Sequence, residues 1–232
     1  SVLFLSCGKY KLTKVCLDST IKAVQSYNGE IEWLFMEQGN DEDNYKYFMS
    51  LPFERKVIVR QNNYGINAGF NALLRLAKAP YYLIMENDWY NNLPNFNFLQ
   101  ITKNILDERD EIDIVQLRAI HDKNEAWGFN KEEFNPYSCI DKAKKSGFAV
   151  SECFTKTGYK FLTCLFPNAF NNNPSIIRKR LYEQCGPYPE PELGTDLRHG
   201  ETFYASKVWN TQCLASHIFQ EVYFHAGGNM RN

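Results

Sequence analysis

Two carboxylates, Glu86 and Asp88, follow an apolar run in the first half of the chain. The run reads Tyr-Tyr-Leu-Ile-Met over residues 81–85, which is the length and composition of a buried strand. Acids two residues apart at a strand end can both face one divalent ion, because side chains alternate and the turn brings them round. Mg²⁺ and Mn²⁺ prefer such oxygen ligands and commonly bridge to substrate phosphates. The alternative interpretation is a solvated turn that carries two surface acids.

A second polar segment, residues 63–71, reads Asn-Tyr-Gly-Ile-Asn-Ala-Gly-Phe-Asn and opens a predicted helix. Backbone N–H groups at the start of a helix favour anions, so this segment could hold a phosphate. An Asn-rich helix cap explains the same composition nearly as well. Only the position of the segment between predicted strands favours the phosphate-binding interpretation.

The elements that must position these groups alternate between strand and helix. Strands are predicted over residues 1–5, 31–36, 56–60 and 81–85, and helices between them over 12–26, 42–49 and 68–79. This order is typical of an open parallel α/β sheet. Ligands in such sheets bind outside the carboxyl ends of the strands. Glu37, Glu86 and Asp88 all fall at such ends, which makes this edge the predicted site.

The second half of the chain is less regular. Helices are predicted over residues 94–107, 178–184 and 201–209, and strands over 112–117, 161–166, 175–178 and 218–224. Residues 121–160 show no clear period. No repeat or linker divides the chain, so we expect one domain.

Charge, hydropathy and cysteine spacing argue against several classes of protein. The 26 Lys and Arg residues nearly balance 27 Asp and Glu, so we expect no nucleic-acid partner and no polybasic membrane surface. No apolar run approaches the roughly 18–20 residues of a membrane span. The seven cysteines have no C-x-x-C spacing, which disfavours a zinc site. The odd number of cysteines and the lack of an N-x-S/T sequon favour a reducing, cytoplasmic location.

Taken together, the motifs resemble the nucleotide-sugar half of GT-A glycosyltransferases, especially the inverting group called family two. In that family an N-x-G loop and a helix-opening Asn precede a strand that ends in D-x-D. Asn63, Gly65 and Asn71 match the loop, and residues 86–88 match D-x-D with Glu in the first place. One departure is Phe70, where the family often carries an Arg before the last Asn of the loop.

The resemblance implies a GT-A fold, which is a Rossmann-like α/β domain with a mostly parallel central sheet. We expect one such domain over residues 1–232, with a nucleotide-sugar half of about 1–90 and an acceptor half of about 91–232. It also implies a UDP- or GDP-sugar donor, bound through Mn²⁺ or Mg²⁺, and a hydroxyl acceptor on a glycan or glycoprotein. Compact enzymes of this type occur in bacteria and in large DNA viruses, and for a virus the location would be the host cytoplasm.

Individual site residues follow from the resemblance. Glu86, Asp88 and His225 would hold the metal, since His225 lies where several GT-A enzymes carry a third ligand. The residues expected to bind the donor lie on the loops after the first three strands and within the acidic motif: Ser6, Gly8, Lys9, Glu37, Asn63, Gly65, Asn67, Asn71 and Asn87.

A general base is expected near the start of the helix predicted over residues 201–209. Glu201 resembles the first acid of the family's E-D motif and is the first choice for the group that deprotonates the acceptor hydroxyl, with Asp196 as the second. An acid stabilised by the helix dipole is the simpler explanation of Glu201. The family likeness favours inversion of the anomeric carbon. The second acid of the motif is Thr202 here, which leaves retention open.

Two other functions compete with sugar transfer. A sugar nucleotidyltransferase would carry a Gly- and Arg-rich loop after the first strand, and the residues from Ser6 to Leu12 lack one. A non-catalytic binding module of the same fold would hold a glycan or a partner without needing the acids. A cysteine nucleophile at Cys7 has no His at a supporting spacing.

Overall fold

The computed structural model describes residues 1–117, 147, 149–164, 174–190, 200–212, 214–218, 220 and 222–226. Asp196 lies outside these residues. The backbone of Glu201 is described, but its side chain lies outside the described part, as do the side chains of residues 164, 200, 202, 203 and 217.

Helices and strands alternate through the first half of the chain, and strands dominate the second half. The helices are α1 (Tyr10–Val24), α2 (Glu42–Ser50), α3 (Ile66–Leu76), α4 (Phe98–Glu108), α5 (Lys179–Cys185) and α6 (Gly200–Asn210). The strands are β1 (Val2–Ser6), β2 (Trp33–Glu37), β3 (Lys56–Arg60), β4 (Tyr81–Glu86), β5 (Trp89–Asn91), β6 (Ile112–Gln116), β7 (Val150–Phe154), β8 (Lys160–Cys164), β9 (Ser175–Arg178), β10 (Leu214–Ile218) and β11 (Tyr223–His225).

Nine of these strands form one sheet, in the order β3-β2-β1-β4-β9-β6-β10-β8-β7. All of them run in the same direction except β8 and β9, because β9 is antiparallel to both β4 and β6, and β8 to both β10 and β7. The prediction of a mostly parallel central sheet is therefore confirmed. Strands β5 and β11 form a separate two-stranded ladder beside the end of β4.

The core lies on both faces of the large sheet, since its central strands are buried on both sides. Along β1, Val2 and Phe4 point into an aromatic-rich core that includes residues of α1, α2 and α4. Leu3 and Leu5 point the other way, into a core shared with α3, α5 and α6. This alternation with period two buries every residue of β1 and places helices on both faces.

Two local features fix where helices begin and how closely they approach the sheet. The Asp41 side chain accepts the N–H groups of Asp43 and Asn44, which caps α2 at its first turn. Gly69 lets α3 lie directly on β1, since a Cβ there would meet the Leu5 side chain at 2.5 Å and Gln38 at 3.1 Å. The first contact belongs to the core and the second lies near the edge predicted to hold the site.

Several elements differ from the sequence predictions. The single strand predicted over 218–224 is wrong: β10 ends at Ile218 and the separate strand β11 begins at Tyr223. Strands β5 and β7 were not predicted, because β5 has three residues and β7, at the sheet edge, has mostly exposed side chains without a regular alternation. Helix α4 begins at Phe98 rather than near 94, since the Asn97 side chain caps it.

Replacing Gly69 with Val tests the contact between α3 and β1. We expect Gly69→Val to lower the free energy of unfolding by about 2–3 kcal/mol, because the branched side chain cannot fit against Leu5. Helix propensity does not explain such a loss, since valine is a slightly better helix former than glycine. Ala68→Val on the same helix loses about 0.5 kcal/mol of helix propensity without this contact and is the control. Urea unfolding followed by circular dichroism measures both, and equal losses would show that the close approach is not a constraint.

Candidate functional site

The carboxyl ends of the first four strands meet along one edge of the sheet. The strand register pairs Ser6 of β1 with Glu37 of β2, and Glu37 in turn with Arg60 of β3. On the other side of β1, Leu5 pairs with Glu86 of β4. The loops that follow these strands therefore leave the sheet at the same level, as the sequence predicts for a ligand site.

A buried carboxylate joins the loops after β1 and β2. Glu37 is fully buried, and its Oε1 accepts the backbone N–H groups of Gly8 at 3.1 Å and Gly39 at 2.6 Å. Its Oε2 accepts the Ser6 hydroxyl and, at 2.9 Å, the amide of Asn44 from α2. Both oxygens are thus occupied by protein donors, and Glu37 holds the two loops together from inside.

The peptide group of Gly8 is fixed on its other side as well. Its carbonyl oxygen accepts from Asn44 Nδ2 at 2.8 Å, Asn87 Nδ2 at 3.1 Å and Thr13 Oγ1 at 3.1 Å. Gly8 and Lys9 both have positive φ, 66° and 58°, a conformation that costs a non-glycine residue free energy. The hydrogen bonds hold this strained turn, which leads directly into α1.

The two loops also touch through their backbones. A Cβ on Gly39 would lie 2.3 Å from the Gly8 nitrogen and 2.9 Å from both the Cys7 carbonyl carbon and Glu37 Oε1. Only glycine allows this approach, because the nearest groups are backbone atoms that cannot turn away. The loop after β1 is consequently supported along its whole length.

Asp88 and His225 come together at the same edge of the sheet although they are 137 positions apart in the chain. Asp88 Oδ2 lies 3.0 Å from His225 Nε2, and the Ala226 N–H donates to the Asp88 carbonyl at 2.7 Å. The ladder of β5 and β11, which pairs Trp89 with His225, produces this meeting. The side chains are 21% and 28% exposed, so a ligand can reach both.

The two side chains hydrogen-bond to each other, and their chemistry also suits a divalent cation. A carboxylate and an imidazole are both common metal ligands. Two protein ligands leave room for phosphate oxygens and water, which is usual for cations that bind with a phosphorylated substrate. Within the described residues no three His, Cys, Asp or Glu side chains are grouped as a metal site, so the structure does not join Glu86 to the pair.

The loop between β3 and α3 lies against the same pair of loops. Asn63 donates from Nδ2 to Cys7 Sγ at 3.3 Å and accepts the Gly65 N–H at 2.9 Å. Gly65 has φ 92° and precedes the first residue of α3, and its carbonyl accepts Gln38 Nε2 at 3.1 Å. Three loops therefore contact one another at this edge, where Lys9 and Asn63 are exposed.

Cys7 has the wrong electrostatics for a nucleophile. Partial burial, and then the nearby Glu37 carboxylate, raise the pKa of the Cys7 thiol above its usual value, although Lys9 acts in the opposite direction. The thiol thus stays protonated at neutral pH, whereas a reactive cysteine needs a lowered pKa.

Asn67 and Asn71 face a different part of the protein from the one predicted. Asn67 donates to the carbonyl of Pro189 at 2.8 Å. Asn71 accepts the Tyr188 N–H at 2.8 Å and donates to the Tyr188 carbonyl at 2.9 Å and to Glu190 Oε1 at 2.7 Å. Both amides are buried and bind the segment after α5.

Sequence reasoning missed several residues that shape the site. They all act by positioning the loops: Thr13, Gln38, Gly39 and Asn44. Asn44 had a detectable signal, because it shares the buried face of α2 with Tyr47 and Phe48. A polar residue on an apolar helical face indicates a buried hydrogen bond. The backbone approach at Gly39 has no such signal in the sequence.

Comparison by sequence finds no relative of this chain. No family model matches it, and no curated protein matches it. None of the helices in the described ranges is both long enough and apolar enough to cross a membrane.

Comparison by structure does find similar proteins. S. aureus TarS 1–349 in complex with UDP-GlcNAc superposes with a TM-score of 0.63 at 14% identity, over 96% of this chain and 56% of TarS 1–349. Mannosyltransferase PcManGT from Pyrobaculum calidifontis, in complex with GDP-Man and Mn²⁺, gives 0.60 at 14% identity, over 92% and 53%. TarS 1–349 in complex with UDP gives 0.60 at 16% identity, over 96% and 58%.

The chain thus spans between half and three fifths of the length of these proteins. The similarity extends over nearly all of this chain. At identities this low the likeness concerns the path of the backbone and not individual side chains. The fold of the chain is the GT-A fold of the structurally similar glycosyltransferases.

Proposed function

We propose that the chain is a metal-dependent glycosyltransferase that moves a sugar from a nucleoside diphosphate-sugar to an acceptor hydroxyl. The observation that supports this most is the Asp88–His225 pair, 3.0 Å apart and solvent-accessible, beside the rigid loop at Gly8. The fold brings a carboxylate, an imidazole and the loop that carries the exposed Lys9 to one sheet edge. A cation held by such a pair, together with a basic side chain, would offset the charge of a diphosphate.

The loops after β1, β2 and β3 would bind the nucleoside end of the donor. Lys9 and Asn63 are exposed there and would contact the donor directly, whereas the N–H groups of Gly8 and Gly65 are already donated to Glu37 and Asn63 and hold the loops. Ser6, Glu37 and Asn87 face inward, and they contribute by holding the loops. We therefore divide the predicted donor residues into those that touch the donor and those that position the loops.

A divalent cation on Asp88 and His225, with Glu86 as the predicted third ligand, would neutralise the charge that develops on the leaving diphosphate. The chain's own part in the reaction is the removal of a proton. Glu201, in the first turn of α6, would take the proton of the acceptor hydroxyl as the hydroxyl oxygen attacks the anomeric carbon, with Asp196 as the alternative base. Such a base opposite the leaving group produces inversion.

The donor class rests on the structurally similar proteins. Their bound ligands are UDP, UDP-GlcNAc and GDP-Man, and Mn²⁺ accompanies GDP-Man. We propose a UDP- or GDP-sugar donor for this chain on that ground, with a glycan or glycoprotein as the acceptor.

Donor hydrolysis tests this proposal without knowledge of the acceptor, since water can replace the hydroxyl. UDP-GlcNAc and GDP-mannose are incubated with the protein and Mn²⁺, and released UDP or GDP is quantified by chromatography. We expect release from one of them that stops when EDTA is added. Release of UMP or GMP with a sugar phosphate would indicate a nucleotidyltransferase, and donor binding without turnover would indicate a binding module.

Replacing Asp88 with Asn tests the cation site. We expect Asp88→Asn to slow Mn²⁺-dependent donor hydrolysis by about 100-fold or more, because a neutral amide is a weaker ligand. The fraction of Mn²⁺ bound in the presence of UDP, measured by electron paramagnetic resonance, should fall in parallel. Asp43→Asn, at an exposed acid in the first turn of α2, is the control. Unchanged turnover would remove Asp88 from the site.

Replacing Glu201 with Gln tests the proposed base. Glu201→Gln should lower kcat for donor hydrolysis about 100-fold and leave the Kd of UDP within about threefold, since the base acts only on the attacking oxygen. Weakened UDP binding would instead place Glu201 at the donor.

Replacing Glu37 with Gln tests the support of the loops. One oxygen of the buried carboxylate becomes an NH₂ group that faces other donors, so we expect a loss of about 2–3 kcal/mol in unfolding free energy. UDP affinity should fall as well, because the loops lose their arrangement. Asp107→Asn is the control: this exposed carboxylate of α4 accepts hydrogen bonds from Lys103 of the same helix and from Tyr81 of β4, and its replacement should change neither quantity appreciably. Full stability with weakened UDP binding would mean that Glu37 contacts the donor.

A further inference from the structure

A buried amide on α3 binds the backbone of a residue far along the chain. Asn71 is fully buried, accepts the N–H of Tyr188 and donates to the carbonyl of the same residue. An amide that pairs with both backbone groups of one residue fixes the position and the direction of the chain there. Asn71 also donates to Glu190 Oε1 at 2.7 Å, and the neighbouring Asn67 donates to Pro189.

The same segment is bound on its other side by α6. Lys207 of α6 donates to the Pro187 carbonyl at 3.1 Å. The ring of Tyr188 stacks on Tyr204 of α6 with centroids 4.0 Å apart, and on Phe70 of α3 with centroids 6.1 Å apart. Tyr188 therefore lies between the two helices, and Phe70 fills the place where the resemblance predicts an Arg.

We propose that Asn71 is a positioning residue, which sets the start of α6 against the donor-binding half of the protein through Tyr188. Tyr204 follows Glu201 by three residues on α6, so the stack on Tyr188 lies within one helical turn of the Glu201 backbone. A shift of Tyr188 would move that turn relative to α3. This inference rests on the proposed function, because it assigns Asn71 an effect on the step in which Glu201 acts.

The arrangement separates this role from the one the family resemblance implies for Asn71. A residue that contacts the donor must leave polar atoms free to reach it. The Asn71 amide oxygen accepts the Tyr188 N–H, and its NH₂ group donates to the Tyr188 carbonyl and to Glu190, all inside the protein. Its loss should therefore change turnover and leave UDP binding unaffected.

The test is the variant Asn71→Asp, which keeps the acceptor for the Tyr188 N–H but sets an oxygen against the Tyr188 carbonyl and Glu190. We expect kcat for donor hydrolysis to fall about 10- to 100-fold, since a displacement of about 1 Å at a reacting group has effects of this size. The Kd of UDP in the presence of Mn²⁺ should stay within about threefold. Asn67→Ala, which removes only the bond to Pro189, is the milder variant if Asn71→Asp does not fold, and should lower kcat about 3- to 10-fold.

A double-mutant cycle with Glu201→Gln separates positioning from general loss of stability. If Asn71 acts through Glu201, Asn71→Asp should slow the Glu201→Gln enzyme less than threefold, so the effects are not additive.

Ile105→Val, in the core beneath α4, is the stability control: it lowers Tm without touching this segment and should leave kcat unchanged. Additive effects, or a loss of UDP affinity, would overturn the role of Asn71 while the enzyme remains active. Absence of both UDP binding and hydrolysis in the unaltered protein would overturn the proposed function as well.

Discussion

Burial of the Glu37 carboxylate is the constraint on which the site depends. A carboxylate taken out of water costs several kcal/mol unless hydrogen-bond donors surround it. Here the donors come from the loop after β1, the loop after β2 and the first turns of α2. Those segments can satisfy Glu37 in only one mutual arrangement, and Gly39 permits the close backbone approach that this arrangement needs.

Hydrogen bonds and strand pairing connect Glu37 to the proposed cation site. The Gly8 carbonyl accepts the Asn87 amide, which ties the loop after β1 to the turn that follows β4. Asp88 is the next residue in that turn. The pairing of β5 with β11 then places His225 beside Asp88. Helix α1 covers this ladder, and its Ser19 hydroxyl oxygen accepts the Asn91 N–H at 2.8 Å. The separation of Asp88 and His225 is consequently set by buried contacts and does not depend on a ligand.

Asparagine amides make many of these connections, because each offers an acceptor and two donors at once. Asn44 and Asn87 converge on Gly8, and Asn71 holds Tyr188. A carboxylate could not donate to these carbonyls, and an aliphatic side chain would leave them unpaired. Several of the 23 asparagines of the chain thus hold loops and segments together.

The repeating pattern of strands and helices made the first half of the fold predictable, since buried five-residue strands and a Gly-containing helix start have clear local signals. The same signals placed Glu37, Glu86 and Asp88 at one edge. Prediction was weaker wherever a role depends on distant partners. The inward orientation of Glu37 and the pairing of Asn71 with Tyr188 follow from packing across 31 and 117 positions, which no local pattern encodes. The three-residue strand β5 exists only because β11 pairs with it.

Calorimetric titration of UDP and GDP, with and without Mn²⁺, tests most directly the claim that one sheet edge forms a joint site for cation and diphosphate. The account predicts that one of the two nucleotides binds in a one-to-one complex with Mn²⁺ present and at least about 30-fold more weakly without it. Equal affinity in both conditions, or no binding of either nucleotide, would contradict it.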